Sequence, residues 1–402
     1  MRVLVVIHYP VFGGPHNQAI VLARALDVRG VETTVLLPRD SADAVERFRA
    51  ANVDVLTIPL HRLRATFNPV RHLPLFAFFW REINTIRHVI RDRGIDLVQI
   101  AGLVNPHAAF AAKLEGIPIV WQLLDTRPPM ALRRATMPLV VGLADVVMTT
   151  GANVAKVHPG AERVGDRLRV FFPPVDGANF DPQGVDRPAA RESFGLALDD
   201  VVVGTVANLN PQKGHEHLIE AVALVRREAP RTKLLVVGSA HDTHRAYARA
   251  LYQLCGRLGL TVGEDVVFAG GRSDVSTALG AMDVFALASV PRSEGAPTAI
   301  EEAMMFGLPV VSTRVGSVSE LIAHGRTGYV VPPLDVRALA RSVLRLLNDD
   351  EQRRRFGWHG RARALKLFSA ERCADVHLAA YELALRRART PNASSAAADP
   401  TD

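Results

Sequence analysis

Short apolar runs rich in β-branched residues recur along the chain, with helix-length amphipathic segments between them. The first half holds RVLVVIHY, ETTVLLP, DVLTIPL, DLVQIAG, IPIVWQLLD and DVVMTTG; the second holds VVVGTVAN, TKLLVVGS, EDVVFAGG, MDVFALAS and LPVVSTR. Each run is apolar at successive rather than alternate positions, which predicts strands covered on both faces, as in a parallel sheet. HNQAIVLARALDVRG, EHLIEAVALVRREAP and ALARSVLRLLNDD space their apolar residues as amphipathic helices do. Strand–helix alternation in both halves predicts an α/β protein of two doubly wound parallel-sheet domains. Between them FFPPVDGANFDPQ breaks both patterns with Pro173, Pro174, Gly177 and Pro182. The expected layout is a first domain at 1–172, a linker at 173–183 and a second domain at 184–370. A last helix at 371–388 is expected to return toward the first domain, and the small, polar, unpatterned tail at 389–402 to be disordered. Two such sheets facing each other place a cleft at the carboxyl ends of their strands, where open α/β folds bind ligands.

Composition narrows the class. A chain of 402 residues, 48% apolar and 22% charged, has ample material for two cores. MRVLVVIHYP runs straight into a strand rather than a leader, and no apolar stretch reaches the roughly 18 to 20 residues of a membrane span. Cys255 and Cys373 lie far apart, which predicts neither a disulfide framework nor a metal site and suits a reducing, cytoplasmic compartment. The net charge of +7 is spread along the chain without interleaved aromatic residues, which argues against a nucleic-acid partner. An acidic substrate such as a nucleotide diphosphate, or an anionic membrane face, fits it better. The stretch 61–93 joins Arg and His to PLFAFFW and is a candidate for peripheral contact with the inner membrane face and a lipid-linked acceptor, with Arg133 and Arg134 adding to that surface. Packing on the first domain is the expectation for its apolar half.

The chemistry concentrates at SEGAPTAIEEA, where Glu294 and Glu302 stand eight positions apart across a loop and a helix start. Pro297 suits a first helical position, where a missing N–H costs nothing. Gly295 is read as allowing close approach of a ligand to the backbone. The amides near Pro297 to Ala299 would then face an anion with the helix dipole behind them, while the two acids accept bonds from sugar hydroxyls. Acids near a helix start are also favourable with no ligand at all.

Four segments in order carry a resemblance: GGPHNQAIVLARAL at 13–26, ANLNPQKGHEHLIEA at 207–221, the Glu294…Glu302 pair, and TRVGSVSELIAHGRTGYVVPP at 313–333. Together they resemble the retaining glycosyltransferases of family four (the group 1 type), whose GT-B fold sets two Rossmann-like domains across a cleft, over roughly residues 1–385. The resemblance implies that Lys213 binds the donor diphosphate, Glu302 the ribose hydroxyls and Glu294 the transferred sugar. It implies that the backbone of Gly295, Ala296, Pro297 and Thr298 meets sugar and phosphate oxygens, that Gly13 and Gly14 approach the phosphates from the other domain, and that Gly238 and the Gly271–Ser273 turn meet the base. Two departures stand out. Asn208 and Asn210 occupy the places of the family's arginine, so Arg272 or Arg292 is a candidate to supply the missing charge. Leu124 stands where the family carries a histidine, leaving Gln122 or Asp125 as its replacement and Asp125 with Arg127 as first-domain residues of interest. His8 is a candidate substrate contact, and His107 is expected to pack or lie on a helix surface.

The implied reaction is front-face transfer from a nucleotide-diphosphate sugar (UDP favoured, GDP possible) to a polysaccharide, glycolipid or other acceptor. The donor is a co-substrate; no cofactor or metal is expected. A catalytically silent nucleotide-sugar-binding protein, or a nucleotide-sugar epimerase of the same fold, is the alternative. Both glutamates and Lys213 are retained, which favours the transferase.

Overall fold

The computed structural model describes residues 1–61, 73–240 and 242–389. The first sheet holds β1 (Arg2–Ile7), β2 (Glu32–Pro38), β3 (Asp54–Ile58), β4 (Leu97–Ala101), β5 (Ile119–Leu123), β6 (Val146–Thr149) and β7 (Leu168–Val170) in the order β3-β2-β1-β4-β5-β6-β7. The second holds β8 (Val201–Val206), β9 (Thr232–Val237), β10 (Val266–Gly270), β11 (Val284–Leu287), β12 (Val310–Thr313) and β13 (Gly328–Val331) in the order β10-β9-β8-β11-β12-β13. Every pairing between these strands is parallel. The two-domain α/β architecture read from the apolar runs is the one observed, and it is a GT-B arrangement.

The runs are largely apolar on both faces because each sheet is covered twice. In β1, Val3, Val5 and Ile7 pack into one core, while Leu4 and Val6 point into another on the opposite face. In β9, Leu235 and Val237 face one layer and Leu234 and Val236 the other. Successive strand side chains point to opposite faces, so a doubly covered strand has no polar side to show. Two strands escape the sequence pattern. β7 has three residues, LRV, with an arginine at its centre, and β13, GYVV, opens on the glycine of a turn.

The helix Ala370–Arg389 belongs by packing to the first sheet: Cys373, Ala374, Ala380, Tyr381 and Ala384 share a core with Val3, Val5 and Phe171. The chain crosses between the sheets twice, side by side, where Val175 N–H donates to the Phe368 carbonyl at 2.8 Å. His377 of that helix meets the Gln122 side chain at 2.9 Å, and burial holds its pKa down to about 4. Gln122 is thereby turned into this buried layer and away from the cleft, which removes it as the replacement for the absent histidine.

The helix Leu73–Arg93 buries Leu75, Ile83, Ile86 and Ile90 against the first sheet. Its amino-terminal part is apolar on the outer side as well, with Leu73, Phe76 and Trp80 at 59%, 72% and 65% exposure. Packing therefore accounts for only one face of that segment. Arg133 is buried, its guanidinium donating to the carbonyls of Pro128 and Val157, so it adds nothing to an outer basic surface. The rest of the basic stretch, 62–72, and the tail beyond Arg389 lie outside the described residues. No helix among the described residues is long and apolar enough to cross a membrane.

Candidate active site

In the first sheet the strand order turns back between β1 and β4, and in the second between β8 and β11. Connections leave such a switch point in opposite directions and open a crevice at the strands' carboxyl ends. Both crevices share one cleft of about 840 Å³. After β1 it is lined by Tyr9 to His16, after β5 by Leu124, Asp125 and Arg127, after β8 by Asn208 and Asn210–Lys213, and after β11 by Ser293–Ala299. Gly238, Gly271 and Arg272 complete the wall.

Lys213 is placed by its turn. Asn210 caps it, its side-chain oxygen accepting from Gln212 N–H at 2.9 Å. Val290 N–H donates to the Gln212 carbonyl at 3.0 Å and ties the turn to the loop after β11. Lys213 Nζ then lies 2.7 Å from Glu294 Oε1, which also accepts from Ser289 Oγ at 2.6 Å. Glu294 is buried and Lys213 half-buried, so water screens this pair weakly. An anion arriving in the cleft meets an ammonium already oriented by a carboxylate. Ser289 ends the MDVFALAS run, five residues before Glu294; it was not a sequence candidate, and that proximity is the only signal for it.

Pro297 directly precedes the helix Thr298–Phe306, one position earlier than expected. The first helical N–H groups, those of Thr298 and Ala299, have no helical carbonyl four residues back to bond. Across the cleft, a Cβ on Gly14 would be 3.7 Å from Thr298 Oγ1, so the loop after β1 faces this helix start directly. Glu302, one turn in, is half-buried with its pKa raised to about 8 by burial, and no hydrogen bond holds its carboxyl among the described residues. Its side chain does not line the cleft.

Gly295 has a different role from the one expected. A Cβ there would overlap the Leu124 carbonyl oxygen and stand 2.8 Å from Thr150 Oγ1, so the close approach is to the first domain's backbone and not to a ligand. Gly295 pairs with Asp125 in an antiparallel bridge, and Thr126 donates N–H and Oγ1 to the Glu294 carbonyl at 3.3 and 2.9 Å. The loop that carries Glu294 is thus shaped from both domains. Gly295→Ala is expected to push Leu124 away and weaken nucleotide-diphosphate binding about tenfold, the scale of one or two lost hydrogen bonds; calorimetric titration checks it, and unchanged affinity would remove Gly295 from the site.

Other candidates fall out differently. Gly238 lines the cleft, but its N–H donates to the Gly270 carbonyl at 2.8 Å and its Cα abuts the Ala207 backbone. Arg272 is held by Asp274 at 2.7 and 2.8 Å and stacks 5.0 Å from the Phe194 ring centroid. Arg292 does not line the cleft. Asn208 lines it, with its carbonyl taken by the His215 ring at 3.1 Å. Asp125 is ion-paired with Arg127, whose guanidinium lies 5.9 Å from the Tyr9 ring centroid and within electrostatic reach of Glu294. Asp125 and Arg127 are thus first-domain charges that line the same cleft as the Lys213–Glu294 pair. His8 is buried, its ring contacting the Ala101 carbonyl, and His107 is packed, held near Glu82 at 3.3 Å. Among the described residues no group of three or more His, Cys, Asp or Glu is gathered as for a metal ion.

Two facing doubly wound domains, with an acid–lysine pair and a free helix start between them, define a protein built to hold an anionic, hydroxyl-bearing ligand. Residues 12–179 match the model of Glycosyltransferase Family 4, and residues 186–363 that of Glycosyl transferases group 1. The chain belongs to this family of glycosyltransferases. It is 30% identical over 267 residues to a D-inositol 3-phosphate glycosyltransferase of Corynebacterium urealyticum, covering 64% of this chain and 60% of that one. It is 32% identical over 263 residues to a GDP-mannose-dependent alpha-(1-6)-phosphatidylinositol monomannoside mannosyltransferase of Mycolicibacterium smegmatis, covering 63% and 65%. The chain thus spans somewhat less than two thirds of these relatives' lengths. The crystal structure of Anabaena HepE in complex with UDP superposes with a TM-score of 0.79 at 23% identity, over 95% of this chain and all of that one, and shares its fold.

Proposed function

We propose that the chain transfers a sugar from a nucleotide-diphosphate sugar to an acceptor hydroxyl, with retention at the anomeric carbon and by front-face attack. The observation that carries this is the Lys213–Glu294 pair set beside the Thr298 helix start inside a cleft built from both domains. Lys213 and the helix amides would take up the charge of the departing diphosphate, and Glu294 and Glu302 would hold sugar and ribose hydroxyls. The departing phosphate oxygen would accept the acceptor's proton, so the protein contributes position and charge rather than a strong base. Asp125 and Arg127 would orient the acceptor side. A UDP-sugar is the favoured donor, in keeping with UDP bound to HepE, and GDP-mannose is the alternative suggested by the mannosyltransferase relative. The acceptor is a glycan or a lipid-linked molecule, as relatives acting on a phosphatidylinositol mannoside suggest. The exposed apolar face at Leu73, Phe76 and Trp80 would rest on an anionic membrane to reach the latter.

The test is binding and slow hydrolysis across UDP-, GDP- and ADP-sugars. Selective turnover of one donor names it. Binding without turnover, with any acceptor extract, would favour the silent binding protein, and conversion of the sugar without release of nucleotide would favour the epimerase.

A further inference from the structure

We infer that Glu320 and Ser317 are positioning residues for the reaction: from outside the cleft, they lock the Glu294 loop in register with the first domain. The loop is the middle layer of three. Leu124–Thr126 lies on one side of it; on the other, Ser317 N–H donates to the Gly295 carbonyl at 2.8 Å. Ser317 then reaches the first domain itself, its Oγ donating to the Thr150 carbonyl. One turn on, the Glu320 carboxylate accepts from the first domain's Ala152 N–H at 2.7 Å and Asn153 N–H at 2.8 Å. Neither side chain lines the cleft.

The seam is built to backbone distance. Gly316 has φ +49°, and a Cβ on it would overlap the Gly295 carbonyl oxygen. Gly151 has φ +119°, and a Cβ on it would overlap the Ser317 side chain and stand 3.0 Å from Glu320 Oε1. Side chains are excluded there by space and by backbone conformation alike. The strand order places β5 and β6 between β4 and β7, the strand that leads into the linker, while Gly13 and Gly14 follow β1 beyond β4. The seam therefore lies on the linker side of the cleft, away from the Gly13–Gly14 loop.

What joins the domains here is polar. Water can replace each of these hydrogen bonds, so the seam parts at far lower cost than an apolar core does. Its register is correspondingly sensitive to single groups. A shift of the 316–320 turn passes through the Ser317–Gly295 bond to Glu294, whose carbonyl Thr126 holds from the opposite domain. Glu294 in turn orients Lys213. Arg363 fixes the far side of the turn by donating to the Glu320 and Leu321 carbonyls, both at 2.7 Å.

The kinetic half of this inference rests on the transferase reading; the structural half does not. The test uses the full chain and two variants, Glu320→Ala and Glu320→Gln, whose single amide oxygen can still accept from one of the Ala152 and Asn153 N–H groups. In the unliganded protein, hydrogen–deuterium exchange of Glu320→Ala is expected to rise at 150–156, and also at 293–298, which Glu320 does not touch, while β1 and β8 stay protected. In donor turnover, Glu320→Ala is expected to lower kcat/KM for the donor about tenfold, the scale of two exposed charge-assisted hydrogen bonds, with the acceptor KM unchanged. Glu320→Gln, which keeps one of the two bonds, should recover part of that loss. Faster exchange confined to 150–156, or a Glu320→Ala variant with wild-type kinetics, overturns the inference. A wild-type protein that turns over no donor overturns the transferase reading instead, and the exchange result still decides the coupling.

Discussion

Lys213→Ala is expected to lower sugar transfer about a thousandfold while weakening nucleotide-diphosphate binding far less, because one preorganised group facing developing charge is worth roughly 10² to 10³ in rate. Among the described residues Lys213 is the only lysine lining the cleft; the neighbouring Arg127 and Arg272 are each committed to an aspartate. The ammonium has three donors and Glu294 Oε1 engages one of them, so the others are available to a phosphate oxygen. Removing it also leaves the Glu294 carboxylate, 8% exposed, with Ser289 alone, and an uncompensated buried charge is costly. That second consequence needs separating from catalysis. Glu294→Gln keeps the Ser289 bond and removes the charge, so in a double variant with Lys213→Met the buried-charge penalty disappears. Steady-state kinetics on the single and double variants read the difference. If the double variant transfers as fast as Glu294→Gln alone, Lys213 is a structural counter-ion; if it stays about a thousandfold slower than Glu294→Gln, the lysine acts on the leaving group.

The second large effect concerns stability. Glu301 lies on the buried side of the helix Thr298–Phe306, 0% exposed, and among the described residues neither carboxyl oxygen has a hydrogen-bond partner. Burial, and then the neighbouring Glu302, hold its pKa well above the usual carboxylate range. A carboxyl with a raised pKa binds its proton more tightly in the folded protein. Its contribution to stability is present below the unfolded pKa of about 4.5 and is lost as pH rises. Leucine fills similar space without that dependence. Glu301→Leu is therefore expected to stabilise the protein by about 2 kcal/mol near pH 8, within the range seen when buried ionisable groups give way to apolar ones. The gain should shrink toward zero as pH falls to about 4.5. Thermal unfolding of both proteins at pH 5, 7 and 8 checks this. A gain independent of pH would mean that the Glu301 carboxyl does not titrate in the interior. A loss would mean that it has a partner in solution.

These two residues show different degrees of legibility. Lys213 is picked out by the resemblance of its segment, 207–221, to the family's, and the structure sets it at a strand end, in a turn that asparagine caps, with a helix beginning directly after Gly214. Glu301 is not picked out. It sits beside Glu302 in a helix whose amphipathic pattern treats both acids alike, and only the packing of that helix decides which one is buried. Arg133 misled in the same way, since a long cationic side chain in an Arg-Arg pair reads as surface until neighbouring carbonyls claim it.

The sequence by itself determined the architecture. A doubly covered parallel strand is apolar on both faces at most of its positions, so the eleven longer runs, their intervening helices and the proline-broken join are visible as pattern. It offered the donor-side candidates too, Glu294 and Glu302 from the helix start between them and Lys213 from the resemblance of its segment. Only the tertiary structure decided what joins them. Lys213 and Glu294 are 81 residues apart and meet because β8 and β11 are neighbours. Gly295 is small for the sake of Leu124, Gln122 faces His377 rather than the cleft, and Glu320 binds amides 167 and 168 residues away. Such contacts arise when two independently patterned domains come together, and hydrophobic periodicity carries no record of which polar groups will face each other across that boundary.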